Sequence, residues 1–156
     1  MTRVLGLGAV IIVVDQAVKA VVLGYLAPGM HIDLVKGFAT LTLVMNPGLA
    51  FGLLGSMPVG WRWVVAALSL AALAVLARVA LRVLPGGSRL DHVAIGLIFG
   101  GAIGNLIDRA RFGAVVDFVD LHARGYHWPA FNVADSAISV GVALLAFRLL
   151  RSPSTS

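Results

Sequence analysis

Apolar residues run almost unbroken through four stretches, 4–26, 61–84, 90–107 and 133–150, each near the roughly 20 residues an α-helix needs to cross the hydrocarbon core of a bilayer. The pattern predicts an integral membrane protein, mainly α, with residues 1–151 as a single four-span domain and residues 152–156, rich in Ser and Pro, as a disordered tail. Asp15 and Lys19 interrupt the first stretch and no small-residue cleavage pattern follows it, so it reads as a retained helix rather than a removable leader. Four crossings put both termini on one side, and two long connections, 27–60 and 108–132, on the other. Within the first of these, Thr40-Leu-Thr-Leu-Val44 alternates as a short surface strand does. Trp61, Trp63, Tyr126 and Trp128 fall where aromatics of the outer interface are expected.

Orientation is barely encoded in charge. Arg3, Arg78, Arg82, Arg89, Arg148 and Arg151 lie on one side, against Lys36, Arg62, Arg109, Arg111 and Arg124 on the other. The short basic connection near 84–89 favours cytoplasmic termini. With 60% hydrophobic and 12% charged residues among 156, a soluble multi-domain protein is excluded. Cysteine is absent, which removes disulfides, thiolate metal sites and cysteine nucleophiles. The net charge of +5 is spread along the chain without a basic block, so lipid headgroups rather than nucleic acid are its expected counterpart.

All seven acidic residues are Asp, at 15, 33, 91, 108, 117, 120 and 135. With cytoplasmic termini, Asp15, Asn105, Asp108 and Asp135 converge on the outer leaflet, and ionisable groups at such depth face a bundle interior or a wet cavity. Each also has a plain structural reading. Asp15 and Lys19, four apart, suit an ion pair on one helix face, or a substrate contact. Asp108 and Arg109 read as an interfacial scaffold pair, and Asn132 with Asp135 as caps of the last helix. Small residues over 100–104 suit close helix packing rather than a phosphate cradle, since no strand precedes them. His31, His92, His122 and His127 lack close ligand spacing with acids on a shared face, so no metal site is expected. Ser136 or Ser139 beside Lys19 would make a serine–lysine hydrolase, but nothing marks either hydroxyl as activated. A small transporter or a structural assembly factor would also account for intramembrane charge.

Taken together, Asp15-Gln-Ala-Val-Lys19, Asn46-Pro-Gly-Leu-Ala-Phe51, Gly104-Asn-Leu-Ile-Asp-Arg109, Val115-Val-Asp-Phe118 and Phe131-Asn-Val-Ala-Asp135 resemble, in order, the motif set of the bacterial lipoprotein signal peptidase (signal peptidase II) family. The resemblance implies an aspartic endopeptidase of the inner membrane, with Asp117 and Asp135 as its catalytic pair and no cofactor or metal. Asp120 matches no catalytic position. Asp15, Lys19, Asn46, Gly48, Asn105, Asp108, Arg109, Asn132 and Ala134 carry over as positions that shape the site or bind substrate and the family's cyclic peptide antibiotics of the globomycin type. It further implies a small extracytoplasmic β-cradle, fitting residues 27–60, and cleavage of prolipoproteins N-terminal to a diacylglyceryl-modified cysteine near the outer leaflet. Two carboxylates suit hydrolysis because one can be ionised while its neighbour keeps a proton.

Overall fold

The computed structural model describes residues 1–48 and 61–151; the expected tail at 152–156 and the end of the second motif, Leu49 to Phe51, lie outside the described residues. Among the described residues the helices are α1 (Thr2–Tyr25), α2 (Trp61–Val83, continued by a 3-10 turn at Leu84–Gly86), α3 (Arg89–Phe112) and α4 (Val133–Arg151). Among the described residues, three segments, Thr2–Tyr25, Trp63–Gly86 and Arg89–Phe112, are long and apolar enough to cross a membrane. The 19-residue α4 packs beside them. Leu70, Val75 and Leu81 of α2 are exposed, as befits a helix whose outer surface meets lipid rather than water.

α3 is the hub against which α1, α2 and α4 pack. Without a hydrophobic drive between helices inside a bilayer, close backbone approach has to supply the packing, and small residues permit it. A Cβ on Gly101 would collide with the Ala134 carbonyl oxygen, and one on Gly104 would lie 2.7 Å from Asp15 Oδ2. The packing role read from residues 100–104 is therefore what these two glycines perform. In Gly101→Ala, α4 must move off α3. We expect a loss of about 1–3 kcal/mol of stability, seen as a lower unfolding temperature in detergent, with reduced activity because Asp135 follows Ala134.

Both ends of α3 are fixed by local chemistry. Ser88 accepts a hydrogen bond from the Asp91 amide while Asp91 accepts from the Ser88 amide, a reciprocal capping box. Gly113 closes the other end in the left-handed conformation, φ 71°. Asp91 is fully buried and meets Arg148 Nε at 2.8 Å, which ties the start of α3 to the end of α4.

Four antiparallel strands form one sheet in the order β1 (Ile32–Val35), β2 (Ala39–Asn46), β3 (Val115–Ala123) and β4 (Tyr126–His127). The cradle expected within 27–60 thus draws equally on the second long connection. Only the centre of β2 shows in the alternation pattern. From Val115 to Phe118, β3 is buried on both faces, so its sequence carries no polar side to reveal it. The third helix also runs to Phe112 rather than ending at Ile107, which brings Asp108 and Arg109 inside it.

Candidate active site

Deepest in the site lies a charge cluster. Lys19 Nζ lies 2.8 Å from Asp15 Oδ2 and 2.7 Å from Asp108 Oδ2, and donates to Asn105 Oδ1 at 3.1 Å. An ammonium has three protons, so each finds an acceptor. Asp15 and Asp108 are wholly buried, at 0% exposure. Their remaining capacity is met by protein: the Ala134 amide donates to Asp15 Oδ1 at 2.9 Å, and the Val116 amide to Asp108 Oδ2 at 3.1 Å. One cluster thereby fixes α1, α3, the start of β3 and the first turn of α4. The structural ion-pair reading of Asp15 and Lys19 is the one observed, and a serine hydrolase loses its base because Lys19 is fully engaged. Ser136 Oγ is likewise committed, donating to Asn132 O at 3.0 Å.

Asp108 and Arg109, read from the sequence as a pair, each bond elsewhere among the described residues. Successive helical residues diverge by about 100° around the axis, so Asp108 turns to Lys19 while Arg109 turns to the end of β2. There Arg109 Nη2 donates to Gly48 O at 3.0 Å, and Gly48's amide donates to Asn46 Oδ1 at 3.0 Å. Gln16 escaped the sequence reading. Its Nε2 donates to Asp108 Oδ1 at 2.8 Å and to Asp15 Oδ2 at 3.2 Å, bridging the two buried acids. A polar residue beside Asp15 in an otherwise apolar helix was the available signal.

Asn105 carries this order outward. Its Oδ1 accepts from Lys19 and from Asn132 Nδ2 (3.2 Å), while its Nδ2 donates to Asp135 Oδ1 at 2.8 Å. Asn132 is the N-cap of α4, with its Oδ1 accepting from the Asp135 amide at 2.9 Å and its own amide donating to Asp135 Oδ2 at 3.3 Å. The capping reading therefore holds, and Asn132 does more: its Nδ2 donates to Asp117 Oδ1 at 2.7 Å.

Asp117 sits on β3 with its other oxygen, Oδ2, accepting from Asn46 Nδ2 at 3.0 Å. A bulge makes that contact. Leu41 pairs with Val119 and Val44 with Asp117, so β2 spends one residue more than β3 over this span. Beyond the bulge Asn46 faces Val115 and shares a side of the sheet with Asp117; in regular register it would point to the opposite side. Burial pushes the Asp117 carboxyl up to about 6; the Asn46 hydrogen bond opposes the rise, the Asp135 charge adds to it, and Asn132 and Lys19 pull the other way. Removing the Asn46 donor in Asn46→Ala should move the Asp117 titration to still higher pH, readable as a shifted limb in a pH–rate profile or by the carboxyl infrared band.

Asp117 and Asp135 both line a cleft of about 940 Å³ among α2, α3, α4 and the sheet, whose walls include Leu68, Leu73, Leu76 and Ile138. A carboxylate pair steadied by three asparagine side chains, opening onto an apolar groove at the end of a bundle of membrane-length helices, defines a membrane enzyme equipped for acid–base chemistry. A family model described as signal peptidase (SPase) II matches residues 7–151. The chain belongs to the signal peptidase II family, and as a member it is a membrane aspartic peptidase, a hydrolase of peptide bonds that removes signal peptides from prolipoproteins. It is 46% identical over 143 residues to the lipoprotein signal peptidase of Geobacter metallireducens, covering 92% of this chain and 87% of that one. With the lipoprotein signal peptidase of Burkholderia mallei it shares 45% identity over 149 residues, 94% of this chain and 87% of the other. A bacterial membrane enzyme solved by the in meso method superposes with a TM-score of 0.79 at 30% identity, over 100% of this chain and 92% of that chain.

Proposed function

We propose that Asp117 and Asp135 are the catalytic pair with which this peptidase cuts prolipoproteins N-terminal to a diacylglyceryl-modified cysteine. The observation that carries the reading is the shared cleft: both carboxylates border one apolar groove between helices, which suits a signal peptide and an acyl chain arriving sideways from lipid. One carboxylate, ionised, takes a proton from water as the water oxygen bonds to the scissile carbonyl carbon. Its protonated partner gives its proton to the carbonyl oxygen; as the C–N bond breaks, the first carboxyl passes the proton it took from water to the leaving amine and the partner takes a proton back from a diol hydroxyl. An Asp117 carboxyl raised to about 6 retains a proton further toward neutral pH than an ordinary aspartate, which supports a mixed-protonation pair.

Around that pair, Asp15, Lys19, Asn105, Asp108, Asn132 and Ala134 hold the geometry, while Asn46, Gly48 and Arg109 join it to the sheet. Residues 1–151 form one domain in which α4 is the fourth crossing, both termini are cytoplasmic, and the site lies near the outer leaflet of the inner membrane. Cyclic peptides of the globomycin type compete for the same groove. The test is cleavage of a diacylglyceryl-modified prolipoprotein by purified protein in detergent, with and without such a peptide. Product beginning at the modified cysteine, and its loss with the inhibitor, supports the reading; cleavage indifferent to the diacylglyceryl group overturns it.

A further inference from the structure

The outer hairpin gathers three groups that the peptidase reaction does not use. β3 and β4 are joined by Arg124 and Gly125, whose φ values of 51° and 83° are both positive, the condition for the tight two-residue hairpin turn that suits strand twist. The turn sets His122 directly opposite His127. Asp120, two residues before His122, shares its side of the strand, the side opposite Asp117. The histidine spacing that looked unsuited to a metal is thus brought onto one face by the turn. One ligand atom from each of Asp120, His122 and His127 lies within 4.8 Å of the others. The imidazole rings stack with centroids 5.0 Å apart, His127 Nδ1 lies 2.9 Å from Asp120 Oδ2, and His122 Nδ1 is buried with no hydrogen-bond partner among the described residues.

We propose that Asp120, His122 and His127 bind a divalent transition-metal ion of the zinc class. Two imidazole nitrogens and one carboxylate oxygen are the donor set such ions prefer over magnesium or calcium, and a small contraction of the three side chains reaches ligand distances of about 2.0–2.2 Å. The His127 side chain is 60% exposed, which gives the ion a route in and leaves a fourth position for water. On binding, the metal takes the place of the hydrogen bond between His127 Nδ1 and Asp120, the imidazole staying neutral with its hydrogen on Nε2. His122 contributes an imidazole with a buried nitrogen that the described residues leave unsatisfied, an arrangement costly without a ligand. From β4 the chain passes directly into Trp128 to Phe131, which border the cleft, so the ion would pin the rim of the groove without touching the carboxylates.

The experiment uses tag-free, full-length protein in detergent, stripped with a chelator and titrated with Co²⁺, then with Zn²⁺. Expected are the visible bands of four-coordinate cobalt saturating near one ion per chain, bleached by Zn²⁺, and at least roughly tenfold weaker binding in both His122→Asn and His127→Asn. Should His122→Asn fail to fold, His127→Asn, at an exposed position, carries the test together with Asp120→Asn. Metal-free His127→Asn should cleave prolipoprotein at the wild-type rate. Absence of a saturable cobalt spectrum in the wild type, or binding by His127→Asn within about twofold of it, overturns the site and leaves an ordinary Asp120–His127 ion pair.

Discussion

Asp117→Asn should lower prolipoprotein cleavage by at least about 10²–10⁴-fold, the range attributable to one positioned acid or base, while remaining folded. Asparagine keeps the shape but can neither accept nor give the proton. Its stability should depend on pH in a way that identifies the group. In the folded protein Asp117 titrates near 6, above its ordinary value of 3.8, so its protonated form is favoured by folding. The wild type therefore holds its full contribution from this group below the ordinary value and loses it as pH rises through about 6, a change of order 3 kcal/mol. The substituted amide does not titrate and has no such loss. Relative to wild type the variant gains stability between about pH 4 and pH 8, offsetting the one amide contact it loses where Asn46 and Asn132 both donate. Thermal unfolding across pH alongside the cleavage assay checks both halves. Cleavage near the wild-type rate would remove Asp117 from the chemistry. Asp135→Asn should be equally inactive, and by removing a like charge it should draw the Asp117 titration downward.

Lys19→Met should be the most destabilising single change at the site, by about 3–5 kcal/mol. Its ammonium is the common counter-ion of Asp15 and Asp108, and neither acid has access to water. Deleting it leaves two carboxylates facing each other in a region from which water is excluded. Arginine should not rescue the loss, because a planar guanidinium cannot direct donors at three acceptors arranged around a compact ammonium. Whatever protein still folds should cleave slowly, since Asn105 loses the partner that orients its amide toward Asp135. Combining Lys19→Met with Asp15→Asn should cost less than the sum of the two single changes, because the second removes one of the stranded charges. Unfolding in detergent of all three variants measures that coupling.

The helices were legible because apolar runs of membrane length have few other uses, and the candidate site was suggested because five motifs occur in family order. What stayed hidden depended on partners distant in sequence. β3 left no alternation to read, since both of its faces are covered where Asp117 sits. Asp108 and Arg109 look like a pair on paper, yet neighbours on a helix point apart, and each found its partner elsewhere, in Lys19 and in Gly48. Asn132 was explained by capping alone until the strand that carries Asp117 came within reach of its amide. The backbone amides of Val116 and Ala134 announce nothing in a sequence, although with Gln16 they complete the hydrogen bonding of the buried acids.

The extra residue that β2 spends between Leu41 and Val44 has a consequence for how this protein can vary. Side chains on a strand alternate, so the identity of the residue presented to Asp117 is a matter of odd or even count from the bulge. Gaining or losing one residue there would turn Asn46 away from the carboxylate even if every side chain in the site were retained. Gaining or losing two would restore its direction. A single alanine inserted in this stretch would therefore act on the Asp117 titration as removal of the Asn46 side chain does, whereas a paired insertion would leave it in place.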